Sequence, residues 1–299
     1  MDDSFAIYTK NLVKAYGRIK ALHGVNLEVQ SGEIFGFLGP NGAGKTTTIR
    51  CLLDLIRPND GTVRVLGLDP QIDSIEVRAR TGYLPGELHV EDNVTVEGTL
   101  RYLNSLRRNK ADWAFVRYLA DKLNLELKIQ VKNLSKGNKQ KVGIIQALMH
   151  RPELLMLDEP TFGLDPLVQH EVLKLIIESQ AEGATVFFSS HILSEVQEIA
   201  ERVGIIRNGL VIEVAETESL IKRAFRRVHI QFSQSVEAQT LTNIPGVSIL
   251  SQDKQNVTLQ VEGEMDDLIK TLASYHVIDF ETENPSLEEI FLAYYKEER

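Results

Sequence analysis

A single cysteine, Cys51, stands in 299 residues, so the chain can form no disulfide with itself and no cysteine-based zinc site. Nowhere does it supply the ~18 or more consecutive apolar residues that a membrane-spanning helix needs. Its first residues, Met1-Asp2-Asp3-Ser4, are acidic where a secretory signal would be basic. The expectation is a cytoplasmic protein, and if it serves a membrane it does so from the surface. Positive charge is also scarce: 33 Lys and Arg against 42 Asp and Glu leave a net charge of −9. That balance argues against a general affinity for polyanions, so no nucleic acid partner is expected. Internal repeats and low-complexity tracts are missing as well. What remains is ordinary globular composition, 43% apolar and 25% charged, of a length that fits one large domain plus a small one. Cys51 lies among Ile49, Leu52 and Leu53 and reads as packed core.

The chain is organised around Gly39-Pro40-Asn41-Gly42-Ala43-Gly44-Lys45-Thr46-Thr47, set between an apolar run, Ile34 to Leu38, and a helix-compatible run, Thr47 to Leu55. Strand, glycine-rich loop and helix in that order make a phosphate site. The glycines free backbone N–H groups to wrap phosphate oxygens, and the helix N-terminus adds its positive dipole end. Lys45 would reach the β- and γ-phosphates of a bound nucleotide, and Thr46 would give its hydroxyl to Mg²⁺.

Ahead of that loop, Ala6 to Tyr16 and Ile19 to Val29 alternate apolar and polar positions around Gly17 and read as paired strands. Tyr16, at their turn, is a candidate to stack on an adenine, with local packing as the alternative. Thr62 to Val65 gives a further short strand. From about Asn93 to His150 the pattern is helical, with Leu100, Leu103 and Leu106 on one stripe, an insertion between two α/β segments. Buried parallel strands return at Leu154 to Leu157, ending in Asp158-Glu159-Pro160, and at Ala184 to Phe188, ending in Ser189-Ser190-His191 before an N-capped helix. Ligands of open α/β sheets sit beyond the carboxyl ends of the strands, so Gly39, Asp158 and His191 should converge on one crevice. Asn208-Gly209 between apolar runs predicts a type I′ hairpin. A helix near Glu218 to Arg226 leads out of this domain. The order of segments after it predicts βαββαβ, the ferredoxin-like arrangement, followed by a helix starting at Ser286, whose spacing to Glu289 makes a capping box.

Asp158 and Glu159 are adjacent carboxylates whose side chains leave the strand in different directions, so they can do different work. Asp158 would hold Mg²⁺, and Glu159, facing the γ-phosphate, would polarise the attacking water as general base. Pro160 and Gly163-Leu164-Asp165-Pro166 close the segment.

Taken together, the phosphate loop, Leu134-Ser135-Lys136-Gly137-Asn138, the Asp158-Glu159 strand, Gly163-Leu164-Asp165 and His191 occur in the order and at about the spacings of an ABC transporter nucleotide-binding subunit, which residues 5 to 215 resemble. The resemblance implies an α/β P-loop ATPase cassette over residues 1–220, with a parallel sheet core, an antiparallel β subdomain and a helical insertion at about 86–150. It implies a C-terminal accessory domain over 221–299. It implies ATP and Mg²⁺ as ligands, His191 bridging the γ-phosphate and Glu159, and Ser135 with the N–H of Gly137 reaching the γ-phosphate of a second subunit. Partners by the same likeness are a second copy or a paralogue, joined head to tail, and a membrane permease seated between the phosphate-loop domain and Pro85 to Leu100. The sequence departs from the family where Lys136 replaces Gly and Asn138 replaces Gln. It departs again after Gly82-Tyr83-Leu84-Pro85, where Gly86-Glu87 stands in place of a Mg²⁺-binding Gln. Either Glu87 or a water can fill that place. The tail, with Pro285 to Phe291, resembles that of exporter ATPases, which points to export of a drug, lipid or glycan. A soluble ABC ATPase of translation or DNA repair is the competing class.

Overall fold

The computed structural model describes residues 4–88, 91–107, 111–223, 226–236, 241, 243–262 and 264–283. The chain forms two compact units, Met1–Ala215 and Glu216–Arg299.

The first unit is built on a six-stranded sheet, in the order β5-β6-β7-β3-β8-β9. Its members are β3 (Ile34–Leu38), β5 (Thr81–Leu84), β6 (Leu154–Asp158), β7 (Thr185–Ser190), β8 (Arg202–Arg207) and β9 (Leu210–Glu216). The five strands β5, β6, β7, β3 and β8 run parallel. Unbroken apolar runs suit this position, because a parallel sheet is covered on both faces. Every residue of β3, β6 and β7 is buried, and Phe187 stacks on Phe35 and tilts against Phe37, with centroids 5.8 and 5.3 Å away. Asn208 and Gly209 both take positive φ, 47° and 73°, as the type I′ turn demands. Beside this sheet lies an antiparallel one, β2-β1-β4, from β1 (Phe5–Tyr16), β2 (Ile19–Gln30) and β4 (Asp60–Val65). Cys51 is 1% exposed within the shared core.

The helices are α1 (Lys45–Leu52), α2 (Ser74–Arg80), α3 (Val96–Ser105), α4 (Trp113–Lys122), α5 (Lys136–Leu148), α6 (Pro166–Ala181) and α7 (Leu193–Ile199). Side chains cap α3, α4, α5 and α6: Thr95, Asp112, Ser135 and Asp165 accept from Gly98, Ala114, Asn138 and Val168 N–H. The leucine stripe of α3 is buried at Leu100 but not at Leu106, which lies 66% exposed just past the helix end. The helix after His191 does not start as the sequence predicts. Ile192 occupies its cap position without a side-chain acceptor, and Ser190 Oγ takes the Ile192 N–H at 2.9 Å instead.

In the second unit, α8 (Thr217–Arg223) precedes β10 (Arg226–Phe232), β11 (Val247–Asp253), β12 (Asn256–Val261), α9 (Asp266–Leu272) and β13 (Val277–Glu283). The strands form one antiparallel sheet, β11-β12-β10-β13. First and third strands at the centre, with the second and fourth outside, is the order of a ferredoxin-like βαββαβ sheet. Alternate residues Val228, Ile230 and Phe232 on β10 and Val257, Leu259 and Val261 on β12 share a core with Leu268 and Leu272 of α9. The helix expected between Val236 and Leu241 lies mostly, and that at Ser286 wholly, outside the described residues.

Candidate active site

The parallel strands deliver their ends side by side. At the end of β3, Gly39 N–H donates to Ser190 O of β7 at 3.3 Å, and at the end of β6, Glu159 N–H donates to Ser189 O at 3.2 Å. A Cβ on Gly39 would stand 2.3 Å from Ile206 O, so only glycine lets the loop turn here. Gly44, at φ 114°, closes the loop and opens α1, whose N-terminus has no side-chain cap. Its first N–H groups are therefore open to an anion. Asn41 and Gly42 are exposed, Pro40 and Gly44 half-buried, and Thr46 and Thr47 lie half-buried on the first turn.

Lys45 and the two carboxylates are already engaged. The buried Lys45 Nζ donates to Gly39 O at 2.5 Å and Pro40 O at 3.3 Å, and forms an ion pair with Glu159 Oε1 at 3.1 Å. His191 Nδ1 lies 2.7 Å from Glu159 Oε2. An ionised carboxylate only accepts, so the imidazole proton of this contact is on Nδ1. Asp158 points the other way: Oδ2 accepts from Thr46 Oγ1 at 2.7 Å and Oδ1 from Ser189 Oγ at 2.6 Å. Adjacent carboxylates thus serve separate partners, as their position on a strand end dictates. Glu159 reaches its place with φ at 54°, the left-handed region that a side chain with Cβ disfavours, and such strain gathers at functional sites.

Three supporting residues escaped the sequence reading. Ser189 Oγ, besides donating to Asp158, accepts from Glu159 N–H at 3.1 Å. Gln140, inside α5, donates from Nε2 to Glu159 O at 3.1 Å and Pro160 O at 3.3 Å. Glu195 of α7 accepts from Ser190 Oγ at 2.7 Å and from Thr161 Oγ1, which ties the segment after Glu159 to β7. Burial pushes the Glu195 carboxyl above its ordinary range, against the pull of those two hydroxyls. Ser189 had a visible signal, since it flanks His191 at a strand end. Gln140 and Glu195 had none beyond being polar residues in helices.

The oxygens of Thr46 and Asp158 are hard donors suited to Mg²⁺. Among the described residues no cluster of three His, Cys, Asp or Glu could hold a metal by itself. Mg²⁺ needs only one or two protein oxygens and completes its shell with phosphate and water. Gly86 lies directly beside this pair: a Cβ there would come within 3.1 Å of Asp158 Oδ2.

Other expected residues sit apart. Tyr16 ends β1, 46% exposed, with Lys14 Nζ 5.4 Å from its ring centroid. Its hairpin partner β2 does reach the loop, for Leu22 and Ala21 crowd Gly44. Ser135 and Gly137 stand at the start of α5, where a Cβ on Gly137 would meet Gly163 O at 2.8 Å. No hydrogen bond or ion pair among the described residues joins either of them to the phosphate loop of the same chain. Phe162 bridges the two regions: Lys136 Nζ lies 4.7 Å over its ring, and His191 meets it edge-on at 6.3 Å.

Residues 22–162 match the ABC transporter family, and residues 217–295 match the C-terminal domain of DrrA1-3-like ATP-binding proteins. The bacitracin transport ATP-binding protein BcrA of Bacillus licheniformis is 38% identical over 80% of this chain and 78% of its own. The linearmycin resistance ATP-binding protein LnrL of Bacillus subtilis is 28% identical over 96% of this chain and 97% of its own. A solved dimeric ATP-binding cassette in a post-hydrolysis state, bound to ADP and Pi, superposes with a TM-score of 0.63 at 25% identity over 71% of this chain and 98% of that one. Likeness of this extent, carried by a chain that gathers its phosphate loop and carboxylates on one sheet edge, means that the protein belongs to the ABC transporter family and is one of its ATP-binding, ATP-hydrolysing subunits.

Proposed function

We propose that two copies of this chain, or one copy and a paralogue, close head to tail around two ATP molecules and drive an exporter whose membrane subunits are separate chains. The observation that carries the reading is Glu159 held between Lys45 and His191 while Asp158 turns away to Thr46. Without nucleotide, Lys45 satisfies its charge on Glu159. Incoming phosphates compete for that ammonium, and once they take it Oε1 of Glu159 is free to accept a proton from the water that attacks the γ-phosphate. His191 keeps its hold on Oε2 and fixes the carboxylate's direction. Thr46 and Asp158 would hold Mg²⁺, which when bound neutralises phosphate charge. The loop from Gly39 to Thr47 wraps the phosphates, and Tyr16 stacks on the adenine.

Ser135 and Gly137 belong in this reading to the site of the opposite copy. The Ser135 oxygen already accepts from Asn138 N–H at 3.1 Å, so its own proton remains to be given to a γ-phosphate oxygen. Because the γ-phosphate would touch both copies, its presence favours the closed pair and its loss the open one. The permease would dock in the groove bounded by α2, α3 and the end of α5, from the cytoplasmic face of the membrane.

Export is favoured by the kind of relative that spans most of the chain, since their names speak of bacitracin transport and linearmycin resistance. The cargo class most in keeping with them is an antimicrobial drug. The test is capture of Glu159→Gln protein with ATP from its native membrane extract. A polytopic membrane protein recovered in fixed ratio supports the reading, whereas ribosomes or DNA-repair proteins in its place overturn it.

A further inference from the structure

Glu159 and His191 both stand just past the ends of strands, where the sheet no longer holds them. β6 ends at Asp158 and β7 at Ser190, so each is the first residue of its loop. The last backbone bond between the two segments runs from Glu159 N–H to Ser189 O. Beyond it, among the described residues, no backbone hydrogen bond joins 160–165 to 191–200. Yet His191 Nδ1 stays 2.7 Å from Glu159 Oε2, and Glu159 keeps its φ of 54°, a conformation that persists only where the surroundings over-determine it. Something other than the sheet has to fix both loops.

Glu195, on the first turn of α7, is placed to do so. Its carboxylate is 6% exposed, and each oxygen accepts from a different loop. Oε1 takes Thr161 Oγ1, two residues after Glu159, and Oε2 takes Ser190 Oγ, immediately before His191, at 2.7 Å. Both donors are themselves buried. Pro160 stands between Glu159 and Thr161, and its ring locks φ, so a pin at Thr161 passes to Glu159 with little play. Two accepting oxygens require the ionised form. Burial opposes that form most, the Thr161 and Ser190 hydroxyls favour it, Glu159 opposes it and His191 favours it, so the carboxylate lies within electrostatic reach of both loops' working groups. Losing either hydroxyl would leave a buried anion short of a donor, so the bridge resists opening.

Resting on the reading of Glu159 as general base, we propose that Glu195 is a positioning residue for hydrolysis: it locks the loop carrying Glu159 to the loop carrying His191 and so keeps the base aimed at the attacking water. The lock matters most in the filled site. Without nucleotide, Lys45 also holds Oε1 of Glu159. Once phosphates take Lys45, only His191 and the backbone set the carboxylate's direction. None of the hydrogen bonds of Glu195 reaches Lys45, Thr46 or Asp158, so its work falls on turnover and not on nucleotide affinity.

The test measures ATP turnover, ATP affinity and the ring-nitrogen NMR shifts of His191 in the full-length protein. Glu195→Gln keeps the shape but offers one acceptor to two donors, and should lower kcat about tenfold while KM and ATP affinity stay within about twofold of wild type. Thr161→Val, which deletes one donor at little change of shape, should act the same way. The double variant should be about as slow as the slower single one, because both changes open one bridge. In the nucleotide-free wild type the His191 ring should be protonated at Nδ1, and either variant should turn it into a mixture of the two tautomers. If Glu195→Gln and Thr161→Val keep the wild-type kcat, slow hydrolysis only by weakening ATP binding, or leave the His191 ring unchanged, the inference is wrong while the reading of Glu159 stands. If Glu159→Gln itself keeps near-wild-type turnover, that reading has failed and this inference with it.

Discussion

Acid should weaken this protein through His150 in a way that one substitution can isolate. The imidazole titrates near 6.5 when exposed but at about 4 in the fold, because burial and then the Arg107 guanidinium disfavour its charged form. Between those values the unfolded chain binds a proton that the folded chain refuses, so stability rises with pH across the window and falls as acid is added. At pH 5 the unfolded histidine is almost fully protonated and the folded one about a tenth so. The linkage is then worth about 2 kcal/mol relative to pH 7. Urea unfolding of the wild type and of His150→Gln at pH 7 and pH 5 measures it, since glutamine keeps an acceptor for Arg107 but has no proton to gain. Carboxylates elsewhere titrate equally in both proteins and cancel. The wild type should lose about 2 kcal/mol more than the variant between the two pH values. An equal loss in both would refute the assignment of His150 as a buried neutral base.

Glu159→Gln should still bind ATP but lose roughly 10²-fold or more of its hydrolysis, the usual size of a general-base contribution, and steady-state phosphate release will show whether it does. Ser189→Ala removes the donor to Asp158 Oδ1 and an acceptor for Glu159 N–H, so it should cost about 1–2 kcal/mol in denaturant unfolding and weaken Mg-ATP binding; neither effect would appear if those contacts were incidental. Gly82→Ala places a methyl 2.2 Å from Ala147 O and 2.8 Å from Pro152, where backbone cannot yield, and a melting curve should show a loss of about 2 kcal/mol or more. Residues 1–215 expressed alone should give a folded, ATP-binding protein, because they form a compact unit with their own core. Aggregation of that fragment would mean that the tail shares in its stability.

How far the site could be read beforehand depended on whether its parts were neighbours in sequence. The phosphate loop lies between its own strand and helix, and Asp158, Glu159 and His191 mark the ends of strands whose apolar runs announce themselves, so their convergence followed from parallel-sheet geometry. The divergence of Asp158 and Glu159 was expected from their adjacency, but it comes about because the strand ends at Asp158 and Glu159 turns off it with φ at 54°. Gln140 was not legible, because its contact with Glu159 O depends on how α5 docks against β5, the neighbour of β6. The pairing of Arg107 with His150, across 43 residues, is of the same kind. Gly86 showed in the sequence as a missing side chain, but only the fold shows that the vacancy abuts Asp158. The start of α7 was misread because Ser190, the polar residue nearest its first turn, sits at the end of β7 and divides its hydroxyl between Glu195 and the Ile192 backbone.

The left-handed backbone of Glu159 sets two selection pressures against each other at one codon. A glycine would take φ 54° without the penalty of roughly 1–2 kcal/mol that a Cβ brings there, and asparagine would tolerate it better than glutamate does. Yet that glycine would leave the buried Lys45 ammonium without its carboxylate and His191 without its acceptor, a loss larger than the backbone gain, so a heat challenge in the absence of nucleotide should retain the strained glutamate. Once phosphates occupy Lys45 that restraint is lifted, so the same backbone strain is held by the ion pair in the empty site and by the bound nucleotide in the filled one.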